Sequence, residues 1–123
     1  MLLRVLMVDS DPIVADAATK LLEARGYKAR AAYSAEHAIL VAGDLQPHVL
    51  LSDAVLPGMD GADLAAWFRE HMPSCKVVLI SFNPSIAGRV EEAMRGGNVH
   101  EFISKKDGLG KILTFLSAIT PEQ

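Results

Sequence analysis

The chain holds a single cysteine, Cys75, in 123 residues. It cannot close an internal disulfide, which points away from oxidising compartments. Cys75 precedes an apolar run and reads as a buried or strand-edge thiol rather than a reactive one. No apolar stretch approaches the roughly 20 residues that a membrane span needs. Met1-Leu2-Leu3-Arg4 leads directly into a strand pattern and lacks the layout of a signal peptide. Together these features predict a cytoplasmic protein with no membrane partner. There is no surplus of positive charge either. Lys and Arg number 12 against 15 Asp and Glu, a formal net charge of −3. This argues against non-specific nucleic-acid binding. The four histidines, His37, His48, His71 and His100, show no metal-ligand spacing. There is no linker, low-complexity tract or internal repeat, so residues 1–123 read as one domain without an output domain.

What is present is an alternation. Leu2 to Val8 is apolar apart from Arg4 and stops at Asp9-Ser10-Asp11-Pro12, a strong helix start. Ile13, Val14, Ala17, Leu21 and Leu22 then recur at helical spacing and predict the inward face of that helix. Lys28 to Tyr33 predicts a second strand. Ser34 caps a helix through about Ala42, which Gly43 ends. The third strand runs from Val49 to Asp53 and is broken by Pro57-Gly58. Ala62 to His71 is amphipathic and stopped by Pro73. Lys76 to Ile80 is a fourth strand ending in Ser81-Phe82-Asn83-Pro84. Ser85 to Arg95 predicts a helix with Ile86, Val90, Ala93 and Met94 inward. His100 to Ser104 is a fifth strand, and Asp107 caps a last helix carrying Leu109, Ile112, Leu113, Leu116 and Ile119 on one face.

Five alternations of strand and helix predict an α/β fold. The expected architecture is a doubly wound, five-stranded parallel sheet, order 2-1-3-4-5, with helices on both faces. That order sets the ends of strands one and three side by side. Asp9 and Asp53 then share a crevice, with Ser81 and Lys105 along the same rim. Two carboxylates that close call for a cation or a proton. Hard oxygen ligands on a loop suit Mg²⁺. A carboxylate such as Asp53 can attack phosphorus and form an acyl phosphate. Ser81 would hydrogen-bond a phosphoryl oxygen and Lys105 would add positive charge. Two other chemistries fit less well. Asp9-Ser10-Asp11 faintly resembles the D-x-D of haloacid-dehalogenase-type phosphatases but lacks the Gly-Thr that follows it there. A flavin-binding module needs a phosphate-cradling loop after strand one, where this chain is acidic.

At these residues the chain resembles a response-regulator receiver domain of two-component signalling, with the flavodoxin-like fold of the chemotaxis regulators. Asp53 with Leu56-Pro57-Gly58-Met59-Asp60-Gly61 is similar to the phosphoacceptor strand and its loop. Asp9 matches the first residue of the acidic pair, Ser81 the phosphoryl-sensing hydroxyl, Phe102 the aromatic switch and Lys105 the partner lysine. The resemblance implies phosphoryl transfer to Asp53 from a sensor histidine kinase or phosphotransfer protein. It implies Mg²⁺ held by Asp9, Asp53 and the Val55 backbone carbonyl. It implies a switching face made of helix four, strand five and helix five, through which a homodimer would form. Such a module is a signalling switch, not an enzyme acting on a separate substrate.

The sequence departs from that pattern at defined places. Ser10 stands where the family carries a metal-ligating carboxylate, so Mg²⁺ affinity is expected to fall, with Ser10 or the neighbouring Asp11 as the alternative further ligand. Phe82 follows Ser81 where a small residue would leave the phosphoryl group accessible. Lys106 replaces the proline after Lys105, which predicts a trans Lys105-Lys106 bond. The alternative expectation is thus a degenerate receiver that works as a phosphorylation-independent interaction module.

Overall fold

Each predicted strand folds as one: the first, third and fourth are short apolar runs bounded by turn residues, and the second and fifth, with charged residues among them, flank these at the sheet edges. The computed structural model describes residues 2–81, 87–104 and 108–119. In chain order the elements are β1 (Arg4–Val8), α1 (Pro12–Ala24), β2 (Lys28–Ala32), α2 (Ala35–Leu45) and β3 (Val49–Asp53). They continue with α3 (Gly61–His71), β4 (Lys76–Ser81), α4 (Ala87–Arg95), β5 (Glu101–Ser104) and α5 (Gly108–Ser117). All strand pairs are parallel and the sheet order is β2-β1-β3-β4-β5, as expected from the alternation. No helix among the described residues is long and apolar enough to cross a membrane.

Both faces of the sheet are covered. On one, Leu6, Leu50, Val77 and Leu79 pack beneath Ala38, Val41 and Ala42 of α2 and Leu64 and Phe68 of α3. On the other, Val5, Val49, Leu51 and Val78 pack with Leu22 of α1 and Leu116 of α5. Cys75 is buried at the start of β4, and burial pushes its thiol up to about 12. A native-state thiol titration is therefore expected to find no reactive group until the protein unfolds. Rapid modification of the folded chain would contradict this burial.

Three helix readings need correction. In α1 the buried residues are Ala15, Thr19 and Leu22, whereas Ile13 is 80% exposed and Val14, Ala17 and Leu21 are exposed too. The helix turns Ala15, Thr19 and Leu22 to the sheet. Thr19 is tolerated there because its hydroxyl donates to the Ala15 carbonyl at 2.7 Å. Helix α2 does not stop at Gly43 but runs to Leu45, ending where Gln46 takes a left-handed conformation and Pro47 follows. The Gln46 side chain donates back to the Gly43 carbonyl at 3.1 Å and does the capping. In α4, Ala93 packs on the core, as expected, but Met94 is exposed. Ile86, the Val90 side chain and the Asp107 cap lie outside the described residues. On α5 four of the five expected residues form the inward face: Leu116 is buried, with Ile112, Leu113 and Ile119 packed beside it, while Leu109 is half-buried.

Candidate functional site

Val8 of β1 pairs with Ser52 of β3, so Asp9 and Asp53 fall one rung further on, side by side at the carboxyl edge. Neighbouring strands are about 4.8 Å apart, and paired residues of parallel strands point to the same face. This is the point where the strand order reverses, the usual crevice of an open α/β sheet.

Asp9 is 3% exposed. Its backbone N–H donates to the Ala32 carbonyl at 3.2 Å, which ties it to the end of β2. One of its carboxylate oxygens accepts the Asp11 N–H at 2.9 Å. Asp53 is half-buried, and its Oδ1 accepts the Val55 N–H at 3.2 Å. The Ser52 hydroxyl donates to the Asp53 carbonyl at 3.0 Å, and the Ala54 N–H donates to the Ile80 carbonyl at 2.9 Å. The exit of β3 is thus fastened to β4. Asp53 pairs with Ile80, and Ser81, 4% exposed, is the next residue along that strand. Ser81 in turn pairs with Ser104 of β5. The described residues therefore bring Asp9, Asp53 and Ser81 to one edge on three adjacent strands. Lys105, the residue after Ser104, lies outside the described residues, as do Phe82 and Lys106.

The neighbours of Asp9 have distinct fates. Ser10 is exposed. Asp11 is the N-cap of α1, and its Oδ1 accepts the Ile13 N–H at 3.0 Å, with Pro12 opening the helix. Its carboxylate therefore has a structural use. Among the described residues, no three His, Cys, Asp or Glu side chains gather as a metal-ligand group. What the edge offers is the Asp9 and Asp53 carboxylates with loop oxygens around them. That is a hard-oxygen donor set and fits Mg²⁺, which keeps several waters and needs only one or two carboxylates.

The loop after Asp53 is pinned from below. Val55 is exposed while Leu56 is buried, and Gly58 supplies a positive φ of 71°. Asp60 then starts α3 with a capping box. Its carboxylate accepts from the Ala62 and Asp63 N–H groups, and Asp63 accepts the Asp60 N–H. Gly61 is the one site residue whose role the sequence reading missed. Its N–H donates to the Ala54 carbonyl at 3.1 Å, and a Cβ there would lie 2.5 Å from the Asp53 carbonyl oxygen. The available signal was a second glycine three residues after Gly58, at a helix start where a side chain is ordinarily tolerated. Phe102, at the middle of β5, is half-buried and packs against the α2–α3 side of the core.

Residues 5–117 match the family model described as the response regulator receiver domain. The probable transcriptional regulatory protein TcrX of Mycobacterium tuberculosis is 26% identical over 115 residues, covering 94% of this chain and 48% of that protein. The structure of NtrX from Brucella abortus in complex with ATP superposes with a TM-score of 0.83 at 26% identity, covering 95% of this chain and 26% of that one. TrrA of Thermotoga maritima, in complex with Mg(2+)-BeF, gives 0.82 at 19% identity, covering 94% and 97%, and bears on the fold alone. The chain spans 48%, 26% and 22% of the length of three curated relatives, about half or less in each case. With the match running through all five strands, this chain belongs to the response regulator receiver domain family.

Proposed function

We propose that Asp53 accepts a phosphoryl group from a phosphohistidine of a sensor kinase or phosphotransfer protein. The observation that carries this reading is the position of Asp53, half-exposed at the end of a buried strand with the buried Asp9 beside it. A carboxylate oxygen of Asp53 forms the new O–P bond. The P–N bond to the donor imidazole breaks, and that ring leaves with a proton. The Ser81 hydroxyl donates to a phosphoryl oxygen, and Lys105 supplies a positive charge. Asp9, Asp53 and the Val55 carbonyl would hold Mg²⁺, which when bound neutralises the transferring oxygens. Phosphorylation then acts on the face built from α4, β5 and α5, with Phe102 inside it. That face is also where a homodimer would form. The reading places the module in the cytoplasm, with no direct nucleic-acid contact of its own.

The experiment is incubation with acetyl phosphate and Mg²⁺, followed by intact-protein mass. Wild type should gain one phosphoryl group and Asp53→Asn none. A gain that survives Asp53→Asn would reject Asp53 as acceptor. A second reading, a degenerate receiver that binds partners without phosphorylation, is favoured by one feature. Ser10 brings no carboxylate and Asp11 is occupied as a helix cap. Absence of any gain with every donor and kinase would select it.

A further inference from the structure

At the opposite edge, where the strands begin, stands a row of basic side chains in sheet order. Lys28, Arg4, His48, Lys76 and His100 lie at or just before the starts of β2, β1, β3, β4 and β5. Arg4 pairs with Lys28, and Val49, next to His48, pairs with Lys76. Strand spacing sets each member of the row about 4.8 Å from the strand of the next. Lys28, Arg4 and Lys76 are charged at any physiological pH.

The two imidazoles in the row make the same pair of hydrogen bonds. The His48 N–H donates to the Arg4 carbonyl at 2.9 Å, and its Nδ1 accepts the Arg4 N–H at 2.9 Å. The His100 N–H donates to the Val77 carbonyl at 2.8 Å, and its Nδ1 accepts the Val77 N–H at 2.9 Å. Each ring stands in for a strand carbonyl at the first rung of a ladder. A backbone N–H only donates, so each Nδ1 must be bare and the neutral ring must carry its proton on Nε2. An imidazolium carries N–H on both nitrogens and accepts nothing.

We propose that His48 and His100 form a paired, proton-sensitive latch at the amino edge of the sheet. Neutral, they close the first rungs of β1–β3 and β4–β5. Protonated, they release the Arg4 and Val77 N–H groups and raise the row from three fixed charges to five. The strands so latched include the two that end at Asp53 and Ser81. Basic residues neighbour both rings. His48 faces Arg4 of β1, its carbonyl accepts the backbone N–H of Lys76 of β4, and it shares a cavity of about 370 Å³ with His71 and the neutral Cys75. His100 has Lys76 of β4 and Arg69 of α3 beside it. The adjacent acid, Glu101, accepts the Phe102 N–H. Burial, then Lys76 and Arg69, hold His100 below its ordinary value of 6.5. A lowered folded value means the unfolded chain binds the proton first. Stability is therefore full above about pH 6.5 and is lost as pH falls towards the folded value.

The test is amide hydrogen exchange read as protection factors, which remove the intrinsic pH dependence. Between about pH 7.5 and pH 5.5, protection at Arg4 and Val77 should drop by roughly tenfold or more while that of Leu6 and Leu79 holds. In the His48→Gln/His100→Gln variant, whose side chains accept but do not titrate, the drop should vanish. A pH-independent protection in wild type, or a drop that persists in the variant, would overturn the latch. Imidazole nitrogen shifts of the wild-type protein test it without any substitution. Both rings should be Nε2–H tautomers at neutral pH, and an Nδ1–H tautomer at either position would overturn it equally.

Discussion

Gly61→Ala should lower stability by about 2–3 kcal/mol, the upper range for forcing atoms into a packed site. Phosphorylation at Asp53 should fall with it. The added Cβ would lie 2.5 Å from the Asp53 carbonyl oxygen and 2.8 Å from the Ala54 Cα. Both are backbone atoms, so no side chain can rotate out of the way. Either α3 backs off or the end of β3 moves. Backing off is costly because Leu64, Ala65 and Phe68 of α3 are fully buried in the core. It would also stretch the Gly61–Ala54 hydrogen bond. Movement of β3 displaces Asp53 itself. Gly43→Ala is the internal comparison, since a Cβ in that helix meets nothing within 4 Å. It should stabilise by roughly 0.5–1 kcal/mol through helix propensity. Urea unfolding of the two variants checks both signs, and a Gly61→Ala protein as stable as wild type would remove the close approach from the account.

This contact marks a limit on what the sequence could disclose. The sheet was legible because β1, β3 and β4 are apolar runs ended by Asp, Ser or a turn, and the alternation leaves few topologies for the weaker β2 and β5. The neighbourhood of Asp9, Asp53 and Ser81 followed from the strand order. The phase of α1 did not follow. Its hydrophobic residues fall on two faces, with Ile13, Val14 and Leu21 on one and Ala15, Ala18 and Leu22 on the other. Apolarity favours the first face. The sheet takes the second because small residues let the helix approach it, and Thr19 hides its hydroxyl on the helix backbone. The histidines were equally silent. Nothing in their spacing says that His48 and His100 stand in for carbonyls, because that depends on where two strands begin relative to their neighbours. The Gly61 approach likewise exists only once α3 is folded back onto the end of β3.

Ser10→Asp should tighten Mg²⁺ binding by about ten- to thirty-fold. The reasoning begins with Asp11, whose carboxylate holds the first turn of α1 through the Ile13 N–H. Recruiting it to a cation would uncap the helix, at about 1 kcal/mol. Among the described residues, the edge therefore offers a divalent cation the carboxylates of Asp9 and Asp53 and no third. Two unit charges about 4 Å apart interact by about 1 kcal/mol in water, so a third carboxylate beside a divalent ion contributes about 2 kcal/mol. Each 1.4 kcal/mol is about tenfold in affinity. Ser10 is exposed, so the new carboxylate meets no burial cost. Without metal, the same substitution crowds three carboxylates at the edge and should lower the melting temperature. With saturating Mg²⁺ the order should reverse, because ligand binding to the folded state stabilises it. Calorimetric titration with Mg²⁺ and paired melts with and without it read both effects. Asp11→Ala separates the two acids: it should cost about 1 kcal/mol of stability as a lost cap and leave Mg²⁺ affinity unchanged. If affinity collapses in Asp11→Ala and is indifferent to Ser10→Asp, Asp11 is a ligand and the capping geometry does not persist when the ion binds.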